Sequence, residues 1–227
     1  MSIYEQTKIA LAKAEELGGK NGLNCIAELD STALEQAKEL DTRSDAGVSG
    51  FWGTPVVIKD NIDVKGLHTT AGSLALEDNI AAEDAPVIRN LRKNGAVILG
   101  KTNMTEFANF TTNGMPGGYS SRGGQVIHAV NPSLSPSGSS SGSAVAVAAG
   151  IVPAAVGTDT SFSIIACAQD NGICGLHCLQ TGLYRLQKRS TVPERWRGIF
   201  RMHCDCILPC GKKRYRNCRQ QTLLHFG

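Results

Sequence analysis

Residues 136–164 have the sequence PSGSSSGSAVAVAAGIVPAAVGTDTSFSI, and this stretch decides between a flexible linker and a folded α/β domain. Seven serines lie between positions 133 and 143, a composition that linkers also use. The serine run continues directly into residues 144–149, which favour a helix, and then into the apolar strand 154–156. A linker would separate two complete cores, and no complete core precedes this segment. We therefore interpret it as a structured active-site loop.

Upstream, apolar residues at helical spacing predict two amphipathic helices. The first covers residues 3–17, and the second covers 32–41. Thr32 and Glu35 have the spacing of a capping box, so we expect the second helix to begin at this pair. Both helices are expected to pack one face on the core.

Two short apolar strands complete the pattern. Residues 56–58 and 96–99 are unbroken aliphatic runs, which is typical of a sheet covered by helices on both faces. Between them, a helix is expected to begin at an Asp84 cap and to end at Gly95. The alternation of helix and strand predicts the α/β fold class. Lys59 follows the first strand directly, at the sheet edge where α/β proteins place their sites.

The 227 residues are 41% hydrophobic and 19% charged, a composition typical of a globular chain. The longest near-continuous apolar run, residues 144–156, is shorter than the roughly 18–20 residues that a membrane-spanning helix needs, so no membrane span is predicted. The first 20 residues carry acidic side chains early and lack the apolar core of a secretory signal. We therefore expect a cytoplasmic protein.

The formal net charge of +3 hides two regions of opposite sign. Residues 1–175 carry 12 Lys and Arg against 18 Asp and Glu, whereas residues 176–227 carry 11 against two. The second region also holds five of the eight cysteines. We accordingly divide the chain into an N-terminal helical segment (1–50), an incomplete core (51–175) and a divergent, basic, cysteine-rich tail that we expect to be poorly ordered.

Three segments together carry a family resemblance. They are GTPVVIKDNID (53–63), GKTNMTEFANF (100–110) and the 136–164 segment quoted above. Over roughly residues 25–175 the sequence resembles the amidase signature family, serine hydrolases that cleave carboxamides. The resemblance implies the N-terminal half of an α/β/α sandwich built on one mixed, twisted sheet. It implies a small amide as substrate, without naming one, and neither a cofactor nor a metal.

The resemblance also assigns roles to individual residues. Ser163 matches the nucleophile, Lys59 matches the base, and Ser139, 24 residues before Ser163, matches the serine that relays the proton and is held by a cis peptide bond. A lysine acts as a base only when it is neutral, and burial at a strand end would lower its pKa. Backbone N–H groups would form the oxyanion hole at Thr160, Ser161 and Phe162, together with that of Ser163.

The sequence departs from the family pattern in two places. Phe162 stands where the family has glycine before the nucleophile, and a bulky residue reaches glycine conformations only with strain. The pattern is also lost after residue 175, and the family's catalytic domain is about twice as long. We therefore expect an impaired hydrolase. The alternatives are a non-catalytic remnant and the amidase-like chain of a glutamine-dependent amidotransferase. The oligomeric state is left open.

The basic tail, residues 176–227, shows no sustained helical or strand period. The leading hypothesis is therefore a truncated or frameshifted family member. A zinc module is the rival, although its cysteine spacing does not match paired zinc knuckles. Its candidate ligands are Cys204, Cys206, Cys210 and Cys218 with His203 or His225.

The tail has two further interpretations. A disulfide framework is disfavoured because no secretory signal precedes the chain. A nucleic-acid-binding arm would use a short basic cluster, but no nucleic-acid partner is expected for the chain. The cluster comprises Lys212, Lys213, Arg214 and Arg216.

Overall fold

The computed structural model describes residues 1–43, 50–111 and 113–176, together with the backbone of residues 203–208. Helices and strands alternate along most of this range, as the α/β pattern predicts. The helices are α1 (Ile3–Gly18), α2 (Ala33–Thr42), α3 (Pro86–Lys93), α4 (Ser141–Ala148) and α5 (Ile165–Asp170). The strands are β1 (Ile26–Leu29), β2 (Pro55–Lys59), β3 (Val97–Thr102), β4 (Tyr119–Ser120), β5 (Gly124–Gln125), β6 (Ala154–Asp159), β7 (Cys174–Gly175) and β8 (His203–Leu208).

Six of these strands form one mixed sheet in the order β1-β3-β2-β6-β8-β7. Its centre is parallel, because β2 runs parallel to both β3 and β6. Strands β1, β8 and β7 add antiparallel pairs on the two sides. The prediction of an α/β fold with a mixed sheet is confirmed. Since β2 and β6 are parallel neighbours, their C-terminal residues Lys59 and Asp159 lie at the same edge.

The central strands are buried on both faces. Val57, Leu99 and Ala155 belong to one apolar cluster, which also takes residues from α1, α2 and α4. Val56 and Ile58 belong to a second cluster, which is shared with α3. Helices therefore cover both faces, which explains why the sequence of these strands is continuously apolar rather than alternating.

The two predicted helix caps are wrong. The Thr32 hydroxyl donates to Asp30 Oδ1 at 2.7 Å, so it makes no cap bond and no capping box forms. Asp84 accepts from the backbone N–H of Lys65 at 2.8 Å and from Arg92 Nε at 3.0 Å. In both cases a nearby polar partner satisfies the group that the sequence pattern assigned to a helix end.

The N-terminal 50 residues contain a strand as well as helices. Strand β1 lies half-buried and antiparallel to β3, with an irregular register between Ile26 and Glu28. Four half-buried residues give no clear strand period, which is why the sequence predicted only helices here. This segment therefore contributes one strand to the main sheet.

Six residues of the basic tail also join the sheet. Strand β8 pairs with β6 over five positions, so the strand edge that we expected to be unpaired is paired. Residues 177–202 and 209–227 lie outside the described part of the chain, and so do Cys210, Cys218 and His225 with the basic cluster at 212–216. Within the described ranges, no group of three or more His, Cys, Asp or Glu could hold a metal ion. No helix in those ranges is long and apolar enough to cross a membrane.

Candidate active site

Lys59 is the last residue of β2, and its side chain is fully buried. Its Nζ donates to Ser139 Oγ at 2.7 Å and to Ser140 Oγ at 3.0 Å. The same nitrogen lies 2.8 Å from Thr158 Oγ1 and 3.2 Å from Thr158 O, on the neighbouring strand β6. The structure therefore brings Lys59 to the serine-rich loop, as the resemblance implies.

The serine-rich segment is folded against the sheet rather than extended as a linker. Ser140 Oγ donates to Thr158 O at 3.1 Å, and Ser143 Oγ donates to Val156 O at 3.0 Å. Both bonds tie the start of α4 to β6. The peptide bond between Gly138 and Ser139 is cis, at the serine for which the resemblance implies one.

Close packing at the start of α4 requires glycine at position 142. A Cβ atom there would lie 2.4 Å from the carbonyl oxygen of Asn103 and 2.5 Å from that of Cys25. Any side chain would therefore push the helix away from the chain that follows β3 and precedes β1. The alternation of glycine and serine in this loop reflects these two needs, close approach and hydroxyl bonding.

The loop that follows β6 carries Ser163. Asp159 Oδ2 accepts from the N–H of Ile164 at 2.8 Å, which holds the turn closed behind Ser163. The N–H of Ser140 donates to Ser163 O at 3.2 Å, so the two serine-bearing loops are joined through their backbones. Within the described chain, the Ser163 hydroxyl makes no hydrogen bond.

Ser139 and Ser163 line one cavity of about 230 Å³. The predicted hydrogen bond between their side chains is not formed, whereas the one between Lys59 and Ser139 is. Catalytic hydrogen bonds are often incomplete without substrate, so this geometry is compatible with a proton relay. The cavity is the only place where the loops carrying these two serines face the same space among the described residues.

The predicted oxyanion loop has a free set of donors. Counting only partners inside the described ranges, no backbone N–H from Thr160 to Ser163 donates a hydrogen bond. Phe162 has a φ of +69°, in the left-handed region that favours glycine, and its side chain is 74% exposed. A non-glycine residue in this region costs about 1–2 kcal/mol. The departure from the family glycine therefore appears as backbone strain, while the aromatic ring itself lies in solvent.

Sequence reasoning missed the two polar neighbours of the lysine. Thr158 contacts Lys59 through both its hydroxyl and its carbonyl, and Asn61 Nδ2 donates to Thr158 Oγ1 at 3.0 Å. The pairing of Ile58 with Val156 sets Thr158 close to the end of β2. A sequence alone gives no register, so only knowledge that β2 and β6 are neighbours could have identified Thr158.

The apolar side of the cavity was also missed. Met104, Phe107 and Phe110 line it, and all three lie in the GKTNMTEFANF segment, which supported the resemblance but received no role. Phe107 has a φ of +44° and Ala108 a φ of +56°. These conformations turn the segment back over the cavity, a feature that no hydrophobic period in the sequence indicates.

Comparison with known proteins places this geometry in a family. A family model described as Amidase matches residues 5–183. A probable amidase of Arabidopsis thaliana is 42% identical over 159 residues, which are 68% of this chain and 31% of that protein. The amidase-like chain of the glutamyl-tRNA(Gln) amidotransferase of Deinococcus radiodurans is 41% identical over 169 residues, covering 74% of this chain and 33% of that one.

Solved structures give the same result. The native peptide amidase of Stenotrophomonas maltophilia superimposes with a TM-score of 0.72 at 41% identity, over 76% of this chain and 36% of that one. An amidase family protein of Bacillus anthracis gives a TM-score of 0.75 at 41% identity, over 78% and 36%. The chain thus spans about a third of the length of the relatives that it matches. On the match to the family model and on these identities, the chain belongs to the amidase family.

Proposed function

We propose that this chain carries the nucleophile, relay and base of a carboxamide hydrolase, with Ser163, Ser139 and Lys59 in these roles. The observation that supports this most directly is the fully buried Lys59, whose Nζ lies 2.7 Å from Ser139 Oγ at the wall of a cavity that Ser163 also lines. Burial disfavours the charged ammonium, so it favours the neutral amine that a base requires.

The chemistry of the proposed reaction follows from these contacts. Ser163 Oγ attacks the carbonyl carbon of the amide while its proton passes to Ser139, and the Ser139 proton passes to Lys59. The resulting oxyanion takes hydrogen bonds from the free N–H groups of the Thr160–Ser163 loop. The relay then returns the proton to the leaving amine as the carbon–nitrogen bond breaks. Water hydrolyses the acyl–enzyme ester by the same route in reverse.

The proposed activity is an impaired one. Phe162 imposes strain on the loop that supplies the oxyanion donors, and loss of one such donor costs about 10²–10³ in rate. Two alternatives remain proposals beside it. A non-catalytic remnant would hold the same fold without reactivity at Ser163. A role in a glutamine-dependent amidotransferase is suggested by the similarity to the Deinococcus radiodurans protein, and it would use the same nucleophile.

A fluorophosphonate probe tests the proposed nucleophile without requiring turnover. In the labelling step, a bond forms between Ser163 Oγ and phosphorus, fluoride leaves, and the hydroxyl proton passes towards Lys59. Mass spectrometry of the digested protein should find the adduct on Ser163, and Ser163→Ala should remove it. Ser161→Ala is the matched control, because Ser161 lies in the same loop without a proposed role for its hydroxyl.

The outcomes separate the candidates. Labelling at Ser163 in the chain and in Ser161→Ala supports a hydrolytic centre, and glutamine release of ammonia beside hydrolysis of small aryl amides then distinguishes amidotransferase-type from general amidase chemistry. Equal labelling of the chain and of Ser163→Ala would overturn the assignment of the nucleophile. No labelling of the folded chain would favour the non-catalytic remnant.

A further inference from the structure

A second buried lysine lies on the strand next to Lys59. Lys101 belongs to β3, and its side chain is fully buried. Its Nζ donates to His68 O at 2.7 Å, to Asp60 O at 3.2 Å and to Thr69 Oγ1 at 3.2 Å. These acceptors belong to the loop after β2, so a side chain on one strand holds the loop that leaves its neighbour.

Asp60 holds the same loop from the other side. Its Oδ2 accepts from the N–H groups of Thr70 at 3.3 Å and Gly72 at 2.8 Å, and from the Thr70 hydroxyl. Its Oδ1 accepts no hydrogen bond from the described residues and lies 3.9 Å from Lys101 Nζ. The ammonium therefore compensates the buried carboxylate electrostatically, and together the two charges fix residues 68–72, which we call the strap.

The strap reaches the cavity through Ala71. This residue has a φ of +50° and lines the cavity, and its carbonyl accepts from the N–H of Phe107 at 2.8 Å. Phe107 and Ala108 line the cavity as well, both with positive φ. A continuous chain of contacts thus leads from the buried pair through the strap to the apolar wall opposite the serines.

We propose that Lys101 and Asp60 are positioning residues, whose pairing holds the strap and thereby sets the substrate-facing wall formed by Ala71, Phe107 and Ala108. The inference rests on the proposed function in taking this cavity as the substrate site. Neither residue touches the cavity, so neither takes part in the chemistry. Their effect is on how well a ligand is held.

Hydrogen exchange tests the positioning role directly, whatever the reactivity of Ser163. In Lys101→Met, and in Asp60→Asn/Lys101→Met where the single variant is too unstable, the amides of Thr70, Gly72 and Phe107 should exchange at least about tenfold faster. The amides of α4 should keep their protection. Lys59→Met is the matched control, because it removes an equally buried lysine from the adjacent strand without touching the strap.

Two exchange results would overturn the proposal. One is unchanged protection of these three amides in the double variant, and the other is equal loss in Lys59→Met. Uniform loss across the strap and α4 would also overturn it, because it would show a role in general stability alone.

Labelling kinetics provide a readout that a merely structural role would not change. For the fluorophosphonate, the double variant should raise the concentration at half-saturation roughly five- to tenfold and leave the maximal labelling rate within about twofold. A fall in the maximal rate at unchanged half-saturation would overturn the proposal. If the unaltered chain is not labelled at all, the proposed function fails, and the exchange result alone decides the positioning role.

Discussion

Lys59 and Lys101 are two fully buried lysines at the ends of neighbouring parallel strands, yet their surroundings differ in kind. Lys59 contacts the hydroxyls of Ser139, Ser140 and Thr158. Lys101 contacts two backbone carbonyls, one hydroxyl and, at 3.9 Å, a carboxylate. A hydroxyl can give up or take a proton, whereas a carbonyl only accepts a hydrogen bond. The partners of a buried lysine, rather than its burial, therefore distinguish a candidate base from a positioning residue.

The largest effect that separates the two lysines should be on the labelling rate. Lys59→Met removes the proposed base, so we expect the maximal rate of fluorophosphonate labelling at Ser163 to fall by about 10²–10⁴. The Asp60→Asn/Lys101→Met variant should keep the maximal rate, because its proposed effect is on the cavity wall. Stopped-time labelling followed by mass spectrometry measures both rates.

The folded state of each variant is the necessary control. Urea unfolding curves should show cooperative transitions for both proteins before rates are compared. Wild-type labelling by Lys59→Met would contradict the assignment of Lys59 as base. A common loss of rate in both variants would erase the distinction between the two lysines.

The sequence predicts Lys59 much better than Lys101, and the reason is physical. Lys59 follows a strand whose apolar run is unbroken, so its place at the sheet edge follows from the pattern. Lys101 lies inside β3 itself, where a buried charge contradicts the pattern and is possible only because Asp60 and the strap compensate it. That compensation comes from residues roughly 30 to 40 positions away, which no local pattern reveals.

The same limit applies to the rest of the fold and the site. Helices α1 and α2 and strands β2, β3 and β6 follow from hydrophobic period and were predicted close to their observed bounds. Thr158 and Phe107 were not, because their roles depend on strand register and on positive φ angles. Choosing Ser139 from among its neighbouring serines required the family resemblance, since residue type alone could not separate them.

The second effect concerns the strained loop beside Lys59. Phe162→Gly should relieve a left-handed conformation worth about 1–2 kcal/mol, whereas Ser161→Gly only adds backbone entropy to the unfolded chain. The free energy of unfolding of the two variants should therefore differ by about 1–2 kcal/mol in favour of Phe162→Gly. Urea unfolding monitored by fluorescence measures the difference. Equal stabilities would show that the loop holds no strain at position 162.

The smallest effect is a pH dependence that belongs to Lys101. Burial lowers the pKa of Lys101 to about 8, against the opposing attraction of nearby carboxylates. The charged groups that act on it are Asp60, Asp63, Glu28 and Arg122. Above pH 8 the unfolded chain still binds the proton that the native lysine has lost, so the free energy of unfolding should rise with pH.

Between pH 8 and 9 the contribution of Lys101 should be a gain of about 1 kcal/mol, obtained by integrating the difference in bound protons over that interval. Two buried thiols oppose it, because burial raises the pKa of Cys25 and Cys167 to about 12 while the unfolded thiols ionise near pH 9. Both thiols are present in Asp60→Asn/Lys101→Met, so their contribution cancels when the two proteins are compared by urea unfolding at each pH. The unaltered chain should therefore gain stability relative to the variant as pH rises from about 8 to 9. A constant difference between them would show that Lys101 keeps its proton in the native state, and the contrast with Lys59 would then have to rest on geometry alone.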